Sequence, residues 1–143
     1  MSDPYKLQRF VDAQDEYFNI ALDELRAGSK QSHWMWYIFP QLAALGRSPT
    51  SKFYGIGSVD EARAYLDHPQ LGTNLRKCLG ALMHWAGLKS ADQILGSIDA
   101  MKLRSCLTLF EAISGDASFG LGLEAFFDGE RDELTLALLN AER

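Results

Sequence analysis

The sequence has few cysteines, no long apolar run and no obvious export signal. Only two cysteines occur among its 143 residues, and the spacing of Cys78 and Cys106 is not that of a redox or zinc site. We expect both to be buried free thiols in a reducing compartment. The most apolar run, residues 34–40, is too short to span a bilayer. The first residues carry no apolar stretch behind a basic start, so we expect a cytoplasmic protein that is neither exported nor membrane-embedded.

Basic residues and metal-ligand patterns are also scarce. The chain has 14 Lys and Arg against 19 Asp and Glu, a net charge of -5, and no basic run that could follow a phosphate backbone. We therefore expect no nucleic-acid partner. His33, His68 and His84 lie far apart without a second ligand at helical spacing, which predicts no metal site. The sequence also lacks a P-loop, a dinucleotide fingerprint and a nucleophile elbow, so no cofactor is predicted.

Strand-like alternation of Val, Ile and Thr is absent, whereas apolar residues recur at helical spacing along nearly the whole chain. This pattern predicts an all-α fold. The length and the 47% hydrophobic content suit one domain over residues 1–143. We expect a compact array of about six to eight helices, opening with helices over 4–12 and 14–27. Residues 29–57 are expected to form one long, aromatic-rich loop with a single helical turn.

Three serines predict where helices begin. Ser58 with Glu61, and Ser90 with Gln93, have the spacing of reciprocal capping boxes. Ser97 is expected to cap the next long helix with its hydroxyl.

Residues 32–41 contain the densest group of side chains able to bind or react. Four aromatic rings and a histidine fall within seven residues. The rings of Trp34 and Trp36 could stack on a flat ligand, and His33 could transfer a proton near neutral pH. Gln41 ends the segment and is a further ligand-binding candidate. The alternative is that the rings only anchor the loop to the core.

Residues 46–57 offer hydroxyls, two cations and free backbone amides just before a helix N-terminus. A phosphate or carboxylate would fit such surroundings, with Ser48, Ser51 and Tyr54 as candidate ligand-binding residues. The alternative is a polar surface turn.

The helix predicted over 97–114 has a broad apolar face. At about 100° per residue, Ile98 and Met101 fall on that face and are expected to pack into the core.

Three polar residues, Asp99, Lys102 and Ser105, fall within the same apolar face, and we take Asp99 and Lys102 as catalytic candidates and Ser105 as a ligand-binding candidate. An unpaired buried charge is costly, so the aspartate and the lysine must pair, support a buried loop or line a cavity. A purely structural ion pair between Asp99 and Lys102 is the alternative to a functional site.

Four segments carry the most specific patterns of the chain: residues 28–41 with His33-Trp34-Met35-Trp36, residues 54–56, 61–69 and 102–110. Together they resemble an uncharacterised, mainly bacterial family, domain-of-unknown-function 1810, some of whose members carry the label calpastatin. The resemblance implies a compact helical fold without an established activity. Calpastatin repeats are disordered and polar, whereas this composition forms a core, so the label does not predict an inhibitor. The chain is also faintly similar to small helical N-glycosidase domains acting on ADP-ribose-like molecules.

Two hypotheses for the function follow. In the first, residues 32–54 fold over the Asp99 and Lys102 face and form one pocket for a small anionic ligand such as a nucleotide, ADP-ribose or a sugar phosphate. Lys102 meets the anion and the tryptophan rings stack on the ligand. His33 or Asp99 serves as acid or base if the ligand is hydrolysed.

The second hypothesis is a non-enzymatic interaction module. Its acidic helical surface, including residues 128–133, would dock a protein partner. The sequence leaves open the ligand, the reaction and the oligomeric state.

Overall fold

The computed structural model describes residues 3–142, and within them the protein is built from helices. The nine α-helices are α1 (Gln8–Ala27), α2 (Met35–Ile38), α3 (Pro49–Phe53), α4 (Val59–Asp67), α5 (Leu71–Met83), α6 (Ala91–Leu95), α7 (Ser97–Ser114), α8 (Ala117–Phe127) and α9 (Glu133–Glu142). A 3-10 turn covers Ala43–Leu45, and Leu42 and Ile56 form an isolated bridge. The all-α prediction is confirmed. Residues 1, 2 and 143 of the predicted domain lie outside the described residues.

The first helix differs from its prediction. Two helices were expected over 4–12 and 14–27, but α1 runs without a break through Ala13. Alanine is the best helix former, and one buried stripe continues from Phe10 to Leu25 on either side of it. The predicted break is therefore wrong.

The core is organised by a row of fully buried aromatic rings. Phe10 of α1 meets Tyr65 of α4 edge-on, with 5.0 Å between the ring centroids. Tyr65 lies 5.5 Å from Phe110 of α7, which lies 5.8 Å from Phe119 of α8. Four helices are thus joined by one continuous row of ring contacts. Aromatic pairs favour the tilted and edge-on geometries found here.

Both cysteines are free and buried, as predicted. Burial raises the pKa of the Cys78 thiol to about 12 and also raises the pKa of Cys106. Since the thiolate is the reactive form, both side chains act as apolar core residues.

The segment expected as a long loop, residues 29–57, is more regular than predicted. It contains α2, the 3-10 turn and α3, and with α2 and α3 the described chain has nine α-helices. Ser48 and Ser51 form a capping box at the start of α3, an element that was not predicted.

Glu24 anchors the start of this segment to α1. Its carboxylate accepts four hydrogen bonds, from the amides of Gln31 (2.7 Å) and Ser32 (2.9 Å), the Ser32 hydroxyl (2.6 Å) and the Trp34 indole (2.9 Å). Burial of the carboxyl raises its pKa, but these hydrogen bonds outweigh burial and lower the pKa from 4.5 to about 2. The ionised carboxylate therefore holds the backbone that leads into α2.

Arg9 anchors the other end of the segment. Its guanidinium contacts the Glu61 carboxylate at 2.7 Å and donates to four backbone carbonyls, those of Tyr5, Lys6, Phe53 and Gly55. The two side chains are only 13% and 10% exposed. Glu61 also accepts from the Gly57 amide, so its carboxylate does not return to Ser58 as a capping box requires. The Ser58 hydroxyl still accepts from the Glu61 amide, and the box predicted at Ser90 is complete.

We expect Arg9→Ala to destabilise the protein by about 3–5 kcal/mol, because Glu61 would remain buried without its partner. Arg63→Ala is the matched control, since the pair between Arg63 and Asp60 is exposed and worth at most about 1 kcal/mol. Urea denaturation measures both. Equal effects of the two substitutions would contradict the anchoring role of Arg9.

We expect Glu24→Gln to destabilise the protein at pH 7 by about 1.5–3 kcal/mol, because charge-assisted hydrogen bonds are weakened. A carboxylate with a lowered folded-state pKa stabilises the fold above its unfolded pKa, and this contribution is lost as the pH falls through the folded pKa. The difference between wild type and variant should therefore shrink between about pH 5 and pH 2.

Denaturation at several pH values measures this convergence. Glu16→Gln, an exposed position on the same helix, is the control. A difference between wild type and Glu24→Gln that stays constant with pH would rule out the ionised carboxylate as its source.

Candidate functional site

The N-terminus of α7 differs from its prediction in a way that shapes the site. Ser97 is the first helical residue, and the cap is Gly96, which has φ 87° and ψ 156°. Glycine adopts this backbone conformation readily because it has no Cβ. No side chain caps this 18-residue helix, so the prediction of a Ser97 cap is wrong. The first-turn amides and the positive end of the helix dipole are left for other partners.

A cleft of about 340 Å³ lies at this helix terminus. We call it the cationic cleft. It is lined by Lys30, His33, Met35, Trp36, Leu95, Gly96, Ser97, Ile98, Asp99 and Lys102. Three predicted catalytic candidates, His33, Asp99 and Lys102, are therefore brought together here, although 66 residues of sequence separate the first two.

Two lysines share one carboxylate in the cationic cleft. Lys30 Nζ lies 2.9 Å from Asp99 Oδ2, and Lys102 Nζ lies 3.4 Å from Asp99 Oδ1. The side chains of Lys30, Asp99 and Lys102 are 9%, 18% and 23% exposed, so all three are partly withdrawn from water. Lys30 Nζ also donates to the Ser32 carbonyl at 2.6 Å. The group of three carries a surplus positive charge, and the predicted pair of Asp99 and Lys102 is only part of it.

The two tryptophans have different positions. Lys102 Nζ lies 4.8 Å from the ring centroid of Trp36, and Lys30 Nζ lies 5.0 Å from that of Trp34, both within cation–π range. Trp36 is partly exposed and lines the cleft. Trp34 was predicted to line the pocket with Trp36. Instead it is fully buried, and its indole donates to Glu24. It anchors the segment to the core, which was the alternative interpretation.

A second cleft of about 480 Å³ adjoins the first. We call it the apolar cleft. Its lining comprises Trp36, Gln41, Leu45, Arg47, Ser48, Ser51, Ile98, Met101, Lys102, Ser105, Asp132 and Leu134. Trp36, Ile98 and Lys102 line both clefts, so the two clefts lie side by side and share part of their walls. The expected single pocket is thus divided by a tryptophan and a lysine.

Besides Trp36, four predicted ligand-binding residues line the apolar cleft: Gln41, Ser48, Ser51 and Ser105. Three of them already use their hydroxyls. The hydroxyls of Ser48 and Ser51 lie 3.0 Å apart within the α3 cap, and that of Ser105 donates to the Met101 carbonyl at 3.2 Å. These serines shape the wall, and most of their hydrogen-bonding capacity is used locally.

Tyr54 does not line either cleft. Its ring packs among those of Phe10 (5.9 Å), Tyr37 (4.7 Å) and Phe53 (4.9 Å). It was predicted to contribute to the same pocket, but Tyr54, the residue after α3, packs against Phe10 of α1 and not against α7.

The exposed first turns of α7 also depart from the predicted apolar face. Ile98 is 72% exposed and Met101 is 64% exposed, although both were expected in the core. At the start of the helix the buried side carries Ala100 and Leu103, whereas Ile98 and Met101 lie on the side that lines the apolar cleft. The helical wheel was wrong here because it cannot show where neighbouring helices end.

Sequence reasoning missed Lys30 and the uncapped start of α7 as parts of the site. Lys30 lies only three residues before His33, and its backbone amide binds the Ile94 carbonyl of α6 at 2.8 Å. Its proximity to the aromatic segment was the available signal. At residues 96 and 97 the sequence predicts Ser97 as the helix cap, but Gly96 takes that position, and glycine is itself a frequent cap.

The acidic turn proposed as a docking surface, residues 128–133, uses several of its charges internally. Arg131 binds Glu111 at 2.6 Å, and Asp132 accepts from the Thr135 amide at the start of α9. Glu130 and Glu133 are exposed. A protein partner at this turn remains a prediction.

Within residues 3–142, no three His, Cys, Asp or Glu side chains are grouped so that they could hold a metal ion. None of the described helices combines the length and the hydropathy needed to cross a bilayer.

Comparison with known proteins identifies the family of this chain. No curated protein matches the chain. Among solved structures, it is similar to the conserved hypothetical protein Rv1873 from Mycobacterium tuberculosis, with 42% sequence identity and a TM-score of 0.93 over 96% of this chain and 99% of that one. The family described as "Protein of unknown function (DUF1810)" matches residues 4–139. The resemblance seen in the four sequence segments is therefore confirmed, and the chain belongs to the DUF1810 family.

Proposed function

We propose that the cationic cleft binds the anionic group of a small organic molecule of the nucleotide, ADP-ribose or sugar-phosphate type. One observation carries the proposal. Two lysine ammoniums share a single carboxylate at an uncapped N-terminus of a long helix, and this group of charges borders an open cleft.

The charges support an anion because they are positioned before it arrives. Asp99 and the two tryptophan rings hold the ammoniums of Lys30 and Lys102 in place. Holding them lowers the entropy lost on binding. A phosphate carries about -1.5 to -2 charges at pH 7 and would meet both the surplus positive charge and the amide end of α7.

His33 is the side chain best placed for proton transfer in a hydrolytic reaction. Asp99 is already engaged by two ammoniums at 2.9 and 3.4 Å, so its carboxylate serves mainly to hold the cations. His33 is exposed and lines the cleft. An imidazole can donate or accept a proton near neutral pH.

We expect phosphate-containing ligands to stabilise the wild type in thermal-shift measurements, with AMP, ADP-ribose and glucose 6-phosphate as probes at millimolar concentration. Lys102→Met removes the charge and keeps most of the side-chain length. It should weaken binding by about tenfold or more, equivalent to about 1.4 kcal/mol.

Lys77→Met, on the exposed side of α5, is the control and should bind like the wild type. Binding should weaken as salt is added, because the interaction is electrostatic. The proposal is overturned if no probe stabilises the protein, or if Lys102→Met is stabilised as much as the control.

We expect His33→Gln to retain ligand-induced stabilisation and to lose roughly 100-fold or more of any hydrolysis rate, because it removes the proton-transfer group but leaves both lysines. Incubation of the protein with the same three probes, followed by phosphorus NMR and chromatography, measures the reaction. Hydrolysis that is unaffected by the substitution would exclude this role for His33.

A further inference from the structure

Three large apolar side chains lie exposed together beside the cationic cleft. Ile98, Met101 and Leu134 are 72%, 64% and 58% exposed, and all three line the apolar cleft. Isolated exposed apolar residues are common, but a group that shares one concave wall is typical of a ligand or partner site.

The apolar cleft lies beside the cationic cleft and shares part of its wall. Asp99 and Lys102 lie three residues apart on α7, and so do Ile98 and Met101. Residues at this spacing are neighbours along a helix face, so α7 presents a charged row and an apolar row side by side. Trp36 borders both clefts at the point where they join.

Several polar groups on the wall of the apolar cleft already have partners, whereas within the described residues the side chains of Gln41 and Arg47 and the Trp36 indole nitrogen have none. The serine hydroxyls on its wall are used in the α3 cap and in a bond to the Met101 carbonyl. Asp132 accepts hydrogen bonds from the amide and the hydroxyl of Thr135. A group bound here would meet mainly apolar side chains, with Gln41 and Arg47 as the polar groups still open to it, and a flat group could lie against the Trp36 ring.

We propose that the ligand is amphiphilic: a phosphate ester whose anionic end occupies the cationic cleft and whose other end is a flat, apolar ring in the apolar cleft. This inference rests on the proposed function, because it assumes that the first cleft binds the anion. It adds that the affinity for one phosphate group rises with the apolar area attached to it.

Two probes that share the phosphate group but differ in the apolar group test this inference: methyl phosphate and 1-naphthyl phosphate. Isothermal titration calorimetry should show the wild type binding 1-naphthyl phosphate about tenfold tighter than methyl phosphate, or more. Met101→Ser should remove most of that advantage and leave the affinity for methyl phosphate unchanged. Lys102→Met should weaken both probes.

The matched control is Leu121→Ser on α8, because this leucine is 59% exposed and lies outside both clefts. It should change neither affinity. If the wild type binds both probes equally, or if Met101→Ser keeps the naphthyl advantage, the inference fails while the proposed function stands.

If neither probe binds, this inference fails, and the thermal-shift measurement with AMP, ADP-ribose and glucose 6-phosphate decides separately whether the proposed function fails too. Light scattering on the Met101→Ser protein adds an independent check of what covers the patch. A wild-type dimer that becomes a monomer on this substitution would assign the exposed patch to a second copy of the chain and overturn the amphiphilic ligand.

Discussion

The site depends on the Asp99 carboxylate, which two lysines from different parts of the chain share. Lys30 comes from the segment after α1, and Lys102 comes from the second turn of α7. Because both ammoniums approach one carboxylate, the aromatic segment is held against the start of the long helix. The clefts on either side of Trp36 exist because this contact brings the two elements together without filling the space between them.

The ion group is stable only because the segment is anchored elsewhere. Glu24 holds its beginning through four hydrogen bonds, and Arg9 with Glu61 holds its end. These contacts are partly buried, where a charge needs a partner but also interacts more strongly with it. The helices of this segment are short, and these charged contacts with α1 and α4 add to the burial of Trp34, Ile38 and Phe39 in the core.

The helical parts of the fold could be predicted because their signals are local. Apolar spacing and capping serines indicate helices without reference to distant residues, and the box at Ser90 is present as expected. The wrong predictions concern which side of a helix is covered by other helices. Ile98 and Met101 have the pattern of core residues, but they lie on a side of α7 that is left exposed, while Ala100 on the same turn is buried.

In the aromatic segment, residues 32–41, the sequence likewise does not show which side chains are covered by other elements. Trp34 and Trp36 look alike in the sequence, yet one is enclosed and bound by Glu24 while the other borders both clefts. Residues two apart in a helix-like turn point in different directions, and only the neighbouring elements decide which direction faces a cleft. The high number of aromatic residues in this segment therefore indicated the region of the candidate site, but it could not show which of them line a cleft.

By itself, the sequence determined the all-α class, the two buried thiols and the region of the chain that carries the candidate site, because each follows from local spacing or composition. Only the tertiary structure decided that Lys30 joins Asp99 and Lys102, that the start of α7 is left without a side-chain cap, and that a cationic cleft and an apolar cleft lie side by side. These features depend on where separate elements end relative to one another. Such relative positions result from packing and ion pairing between distant residues, which no local pattern encodes.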